Sequence, residues 1–350
     1  MSSLGACPAP LAHDEKIVLA HGGGGRLSAQ LFASVFLPAF DNPVLARLED
    51  QAIVTLGGKR LAVTTDSFVV KPLFFPGGDI GRLAVCGTVN DLVVGGARPR
   101  FLTASFVLEE GLLVEDLRRV VRSMKEACAE ARVTIVAGDT KVVDRGKGDG
   151  IYITTTGIGE VSEERASLSC GSAKPGDAVL VSGPIGDHGI SILSVREGLE
   201  LETALVSDVG MLGGLVEALL ERTSGVRCMR DPTRGGVASA LHEIAKASRV
   251  SMLVDESKLP VRDEVRAACE LFGLDPLYVA NEGKLVAIVA PDQAEAALSA
   301  LRAHPLGRDA SIIGTVTGAE PNDPPLRATT SSGGERIVPL LAGEQLPRIC

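Results

Sequence analysis

The chain has 350 residues, of which 45% are hydrophobic and only 3% aromatic, with forty glycines, no Trp and a net charge of −9. That length accommodates two domains with aliphatic cores. The acidic balance, with no Lys/Arg-rich stripe and no interleaved aromatics, excludes nucleic acid as an expected partner. No apolar run approaches the roughly 18 residues of a membrane span.

The first sixteen residues, "MSSLGACPAPLAHDEK", lack the basic start and continuous apolar stretch of a cleaved signal peptide. "HGGGGRLS" follows, from His21 to Ser28. Its four glycines read either as a flexible linker or as a loop whose backbone N–H groups can approach an anion. "QAIVTLGGKRLAVTTDSF" predicts two strands joined by a tight turn at Gly57-Gly58. "DIGRLAVCGTVNDLVVGGARP" predicts a helix stopped by Gly95-Gly96 and Pro99.

A strand is expected at "RFLTASFVL", then an amphipathic helix over about 114–131 with an apolar stripe of Leu117, Val120, Val121, Met124 and Cys128. "RVTIVAGDTKVV" and "GIYITTTGIGEV" predict two more strands. "SEERASLSCGSAKPGDAVLVSG" marks a seam, turning at Pro175-Gly176-Asp177 into a strand at 178–182. Beyond it, helices are expected at "MLGGLVEALLER", "GGVASALHEIAKA" and "PDQAEAALSALRA", and strands at "SMLVD", "KLVAIVA" and "SIIGTVTG". "EPNDPPLRATTSSGGERIVPL" reads as loop and short strand leading to a mobile tail.

Several stretches carry chemistry. Asp66 and Asp139 end apolar strand patterns, and Asp91, beside Asn90, lies within an otherwise apolar helix. Carboxylates at such positions are turn or cap residues, or they converge on a cation such as Mg²⁺. Asp91 in particular needs a partner. Neither a GxxxxGK[ST] loop nor a GxGxxG turn after a strand is present, so a nucleotide would bind by another route. "DPTRGG" places Asp231 and Thr233 before two glycines and a helix, which suits an anion. His188 in "GDHG" reads as a structural turn residue, and Glu282 in "NEGK" as an exposed turn acid or a site residue.

Seven cysteines stand singly at positions 7, 86, 128, 170, 228, 269 and 350, with no CxxC pair. That dispersal reads as a reduced, cytoplasmic protein. Cys128 belongs to the helical core stripe. Cys350 is the last residue, and Pro347 discourages a helix from reaching it.

In this order, "TTDSF", "VNDLVVGGARP", "AGDTKVV", "SGPIGDHGI", "RDPTRGG", "NEG" and the terminal "PRIC" resemble the HypE family of hydrogenase maturation factors. That family lies within the PurM-like group, with aminoimidazole ribonucleotide synthetase, selenophosphate synthetase and thiamine-phosphate kinase. The resemblance implies an α/β fold of α+β type in a PurM-like two-domain architecture. Residues 1–161 would form an N-terminal ATP-binding domain dimerising through its sheet, 162–335 a C-terminal αβ domain, and 336–350 a flexible tail.

It also implies a function. A HypF-type carbamoyltransferase places a carbamoyl group on Cys350, ATP drives its dehydration to a thiocyanate, and the cyano group passes to a HypC–HypD scaffold for the iron of nickel–iron hydrogenase. Under this reading Asp66, Asp91 and Asp139 hold Mg²⁺. Asn90, Thr140 and Gly22, Gly23, Gly24 and Gly25 contact phosphate or the tail. Lys141 stabilises charge or shuttles a proton, Glu282 removes amide protons, and Arg348 docks the tail. A free thiol titrates near ~8.5, so the surroundings must help Cys350 react.

Two alternatives stay open. One is a PurM-like kinase or synthetase acting on a small soluble substrate. Against selenophosphate synthetase, His21 stands where that enzyme has a cysteine before its glycine-rich loop. The other is a nucleotide-sensing scaffold without catalysis.

Overall fold

The computed structural model describes residues 16–165, 168–198, 205–320, 323–343, 345–346 and 349–350. Near the N-terminus, α1 (Arg26–Leu31) continues through a π-helical turn into α2 (Leu37–Phe40). β1 (Ala52–Leu56) and β2 (Lys59–Phe68) form the expected hairpin. Gly57 and Gly58 turn it at φ 58° and 77°, which a two-residue hairpin requires and only glycine adopts freely.

A small hairpin, β3 (Phe74–Phe75) and β4 (Gly78–Asp79), leads into α3 (Ile80–Val94). The Asp79 carboxylate caps α3 by accepting from the Gly81 and Arg82 N–H groups. β5 (Arg98–Glu109), α4 (Val114–Ala131), β6 (Thr134–Val143) and β7 (Ile151–Glu160) complete the first unit. α4 buries Val120, Met124, Ala127 and Cys128, whereas Val121 of the expected stripe faces solvent.

The first sheet runs β1-β2-β7-β5-β6. α3 and α4 cover one of its faces. β7 alternates buried and half-buried residues along its whole length, the period-2 mark of a sheet packed on one side.

The second unit contains β8 (Ala178–Val181), α5 (Asp187–Glu197), α6 (Gly213–Arg222), β9 (Val226–Arg230) and α7 (Gly236–Ser248). β10 (Ser251–Asp255), α8 (Asp263–Phe272), β11 (Val286–Val289), α9 (Ala294–Arg302), β12 (Ser311–Thr317), β13 (Leu326–Thr329) and β14 (Glu335–Ile337) follow. Its sheet runs β14-β13-β10-β12-β8-β11-β9. β8 and β11 are buried at every position, as continuous apolar strands covered on both faces should be.

α5, α8 and β9 lie outside the expected elements. α5 starts directly at the "GDHG" turn, where Gly186 and Gly198 at φ 88° and 63° bracket it. The expected tail from 336 begins inside β14, which pairs with β13. Its later residues Val338, Leu346 and Ile349 are buried. Among the described residues, no helix is long and apolar enough to cross a membrane.

Candidate active site

The site lies where the helix-covered face of the first sheet meets the second unit. Asp66 on β2 stands opposite Thr155 on β7, and Thr155 bonds the backbone of α3. Asp66 therefore projects to the α3 side, beside Asp91 of α3. Thr64, two residues before Asp66, donates to Asp91 at 2.7 Å.

Asp50, just before β1, and Asp231, just after β9, complete the cluster. Carboxylate oxygens of Asp50, Asp91 and Asp231 all lie within 4.8 Å of one another. Burial raises the pKa of each, and the neighbouring carboxylates add to it: Asp50 to about 6, Asp231 to about 8 and Asp91 well above the usual carboxylate range. Arg230 pairs with Asp50 and, at 2.8 Å, with Glu243. Crowded carboxylate oxygens are the donor set of a hard divalent cation. A cation would reverse the repulsion that now favours protonation.

Glu282 borders this cluster. It is 3% exposed, and its Oε1 has no hydrogen-bond partner. Burial first, then Asp231 and Asp208, hold its pKa well above the usual range, while Arg234 opposes the shift. Its backbone is fixed by Asp208, whose carboxylate accepts from the N–H groups of Glu282 and Gly283 and from Lys284 Nζ at 3.0 Å. Lys284 and Asp208 are both buried. Removing either would leave a buried charge uncompensated, which typically costs about 3–5 kcal/mol.

The chain's last residues dock beside these groups. His188 Nε2 lies 2.6 Å from the Ile349 carbonyl, and the Val69 N–H donates to a C-terminal carboxylate oxygen of Cys350 at 3.3 Å. Val69 directly follows β2, three positions after Asp66. Cys350 is half-buried against the core.

The remaining expected site residues are placed differently. Asn90 fastens the two units together: its amide donates to the Gly210 carbonyl and its oxygen accepts from the Leu212 N–H, both at 2.9 Å. The glycine-rich stretch meets the second unit rather than an open cradle. Arg234 donates to the Gly22 carbonyl. The Gly24 N–H is taken by Ser28, and the Arg26 and Leu27 N–H groups are taken by the carbonyls of Leu341 and Ala342. Arg26 and Leu27, just past the four glycines, make these contacts with the C-terminal segment.

Asp139, Thr140 and Lys141 stand apart from the cluster within one chain. They lie exposed on β6, the edge strand, with Lys141 Nζ 3.0 Å from Asp139. Lys141 holds the Asp139 carboxyl below its usual range. The register runs Asp66–Thr155–Ala104–Gly138, so three strand spacings, roughly 14 Å, separate Asp139 from Asp66. Because side chains alternate, Asp139 also faces the opposite side of the sheet. Asp50 and Asp231 stand beside Asp91 instead. Arg348 and Pro347 lie outside the described residues.

Sequence reasoning missed Asp50, Asp208 and Lys284 and assigned His188 to a turn. Asp50 and Asp208 lie in loops without an apolar pattern to mark them. Only the tertiary fold brings them to the site. A cleft of about 1200 Å³ between α1–α2 and α7 has walls that include Phe32, Leu37 and Val250 together with Arg47, Lys246 and Arg249, and lacks the carboxylate cluster.

The fold and site define an AIR synthase related protein. That family's N-terminal domain profile matches residues 48–161 and its C-terminal domain profile matches residues 174–323. The chain belongs to the HypE carbamoyl dehydratase family. It is 54% identical over 336 residues to the carbamoyl dehydratase HypE of Cupriavidus necator, covering 96% of this chain and 95% of that one. A HypE solved in complex with HypF superposes with a TM-score of 0.83 at 51% identity, covering 89% of this chain and 99% of that chain. A HypE solved in complex with ATP gives 0.80 at 49% identity, covering 96% and 100%.

Proposed function

We propose that this chain is an ATP-dependent carbamoyl dehydratase of hydrogenase maturation. It converts an S-carbamoyl group on Cys350 to a thiocyanate, the source of the cyanide ligand for the iron of nickel–iron hydrogenase. The observation that carries this reading is the docking of the C-terminal cysteine on Val69, just past the end of β2 and three positions after Asp66. The relatives named carbamoyl dehydratase and the relative solved with ATP support it.

Dehydration of a thiocarbamate amide needs its oxygen to become a leaving group. Bound Mg-ATP supplies that activation by phosphorylating the oxygen, and the cation offsets the triphosphate charge. The chain does the rest. Cys350 tethers the substrate, so the reaction is intramolecular. Asp50, Asp91 and Asp231, with Asp66 beside Asp91, would hold the cation. Glu282, with its unpartnered Oε1, accepts protons from the amide nitrogen as the C≡N bond forms and phosphate leaves. Burial and the Asp231 and Asp208 carboxylates hold the Glu282 pKa well above the usual range, and a cation held among the neighbouring carboxylates would oppose that shift.

Asp139, Thr140 and Lys141 act in a homodimer. The open face of the first sheet carries half-buried or exposed apolar side chains, among them Phe101, which is 47% exposed, and Ile158. A second copy covers this face and brings Lys141 to the nucleotide. The other partners are a HypF-type carbamoyltransferase, consistent with the relative solved with HypF, and a HypC–HypD acceptor. The five buried described cysteines remain thiols, which fits a cytoplasmic setting.

The test is ATP-dependent loss of one water from the carbamoylated C-terminal peptide, measured for the native chain and for Glu282→Gln. A native protein that binds Mg-ATP and retains the carbamoyl would overturn the reading.

A further inference from the structure

His188 is fully buried at the start of α5, and both of its ring nitrogens are engaged. The Ile349 carbonyl can only accept, so Nε2 carries the proton and donates to it at 2.6 Å. Nδ1 then accepts from the Ser207 hydroxyl at 2.7 Å. Ser207 is fixed in turn: its N–H bonds the Pro76 carbonyl in the β3–β4 hairpin, and its oxygen accepts from the Val209 N–H. Phe75 packs edge-on against the imidazole, with centroids 5.6 Å apart. Burial lowers the His188 pKa, which matches one donor and one acceptor on a neutral ring.

Next to it, Gly189 leaves space for the tail. A Cβ there would lie 3.3 Å from Leu346 Cδ1 and 2.6 Å from Val279 Cγ1. Leu346 and Ile349 are both buried. The tail thus touches the second unit through His188 and Gly189 and the first through Val69.

We propose that His188, oriented by Ser207, is a latch for the C-terminal tail. It is a positioning residue that holds the Ile349 carbonyl so that the Cys350 substrate rests at the site during dehydration, and it releases the tail for exchange with partners. This rests on the function proposed above. The latch and the exchange steps make opposite demands: dehydration needs the closed tail, whereas acquiring a carbamoyl group and delivering a cyano group need the open one. Loss of the latch therefore raises labelling of Cys350 and slows dehydration while the buried cysteines Cys86, Cys128, Cys170, Cys228 and Cys269 stay unlabelled, whereas a general loss of structure would expose those as well.

The experiment uses the full chain. The rate of Cys350 labelling by a bulky maleimide is counted on the C-terminal peptide. Single-turnover dehydration is followed on protein carbamoylated by the carbamoyltransferase. His188→Ala should raise labelling and slow dehydration, each roughly tenfold, as expected for loss of one buried hydrogen bond, with the KM for ATP unchanged. His188→Gln, which keeps a donor, should restore part of both. Leu346→Ala, which shortens a tail side chain packed on the core, should move both in the same directions and carries the test if the His188 variants fail to fold. Labelling within twofold of the native rate in Leu346→Ala and in any folded His188 variant would overturn the latch. Labelling needs no catalysis, so it decides the latch even if the native protein fails to dehydrate its carbamoyl, a failure that would count against the proposed function alone.

Discussion

The two sheets differ in what covers them. In the second, β8 and β11 are buried at every residue, with apolar side chains on both faces. In the first, α3 and α4 cover one face and the other stays open, lined by Thr65, Ser67, Thr154, Thr156 and the exposed Phe101. The carboxylate cluster and docked tail lie on the covered side, Asp139 and Lys141 on the open one. The buried carboxylates and the docked tail thus share one chain's covered side, whereas Asp139 and Lys141 stand on the open face that the proposed dimer would cover.

The division can be broken from either side. On the covered side, Cys350→Ala should abolish thiocyanate formation while leaving ATP binding intact, as measured by calorimetry. Turnover on a soluble substrate by that variant would instead favour a PurM-like kinase. Glu282→Gln, close to isosteric, should slow dehydration by about 10²–10⁴, the usual contribution of a general base, with Cys350 labelling unchanged. An effect below tenfold would move the base elsewhere. On the open side, Phe101→Glu should shift the protein toward monomer in analytical ultracentrifugation, and Lys141→Ala should slow single turnover roughly tenfold. A Phe101→Glu protein that stays monomeric at full activity would confine the site to one chain.

The smallest effect concerns stability. Asp231, at about 8, and Asp50, at about 6, are raised above their unfolded values. The folded chain therefore holds protons that the unfolded chain releases, and stability falls as pH rises from about 4 through 8. In chelator, Tm should drop by several degrees across that window, and Mg²⁺ should restore most at the high end. A Tm that rises with pH in chelator would contradict the mutual repulsion of these carboxylates.

Much of the fold was legible locally. The 51–68 hairpin, the helix over 114–131 and the β10 strand follow from periodicity and turn glycines, which depend only on near neighbours. α5 was hidden because its apolar residues are buried nearly all round, leaving no single stripe to read. The site was legible in part. Asp91 stood out as a carboxylate on an apolar helix. Asp139 shared Asp66's local pattern of a strand ending in an acid, but pattern says nothing of strand order. The β1-β2-β7-β5-β6 arrangement separates the two acids. His188 looked like a turn residue because its partner, Ile349, lies 161 positions away.

The most direct test of the central claim is intact and peptide mass spectrometry of the carbamoylated native chain before and after Mg-ATP. The C-terminal peptide ending in Cys350 is expected to lose the mass of one water, with ATP consumed in equal amount. A carbamoyl that persists on Cys350 while ATP is hydrolysed, or a dehydration product on any other residue, would contradict it.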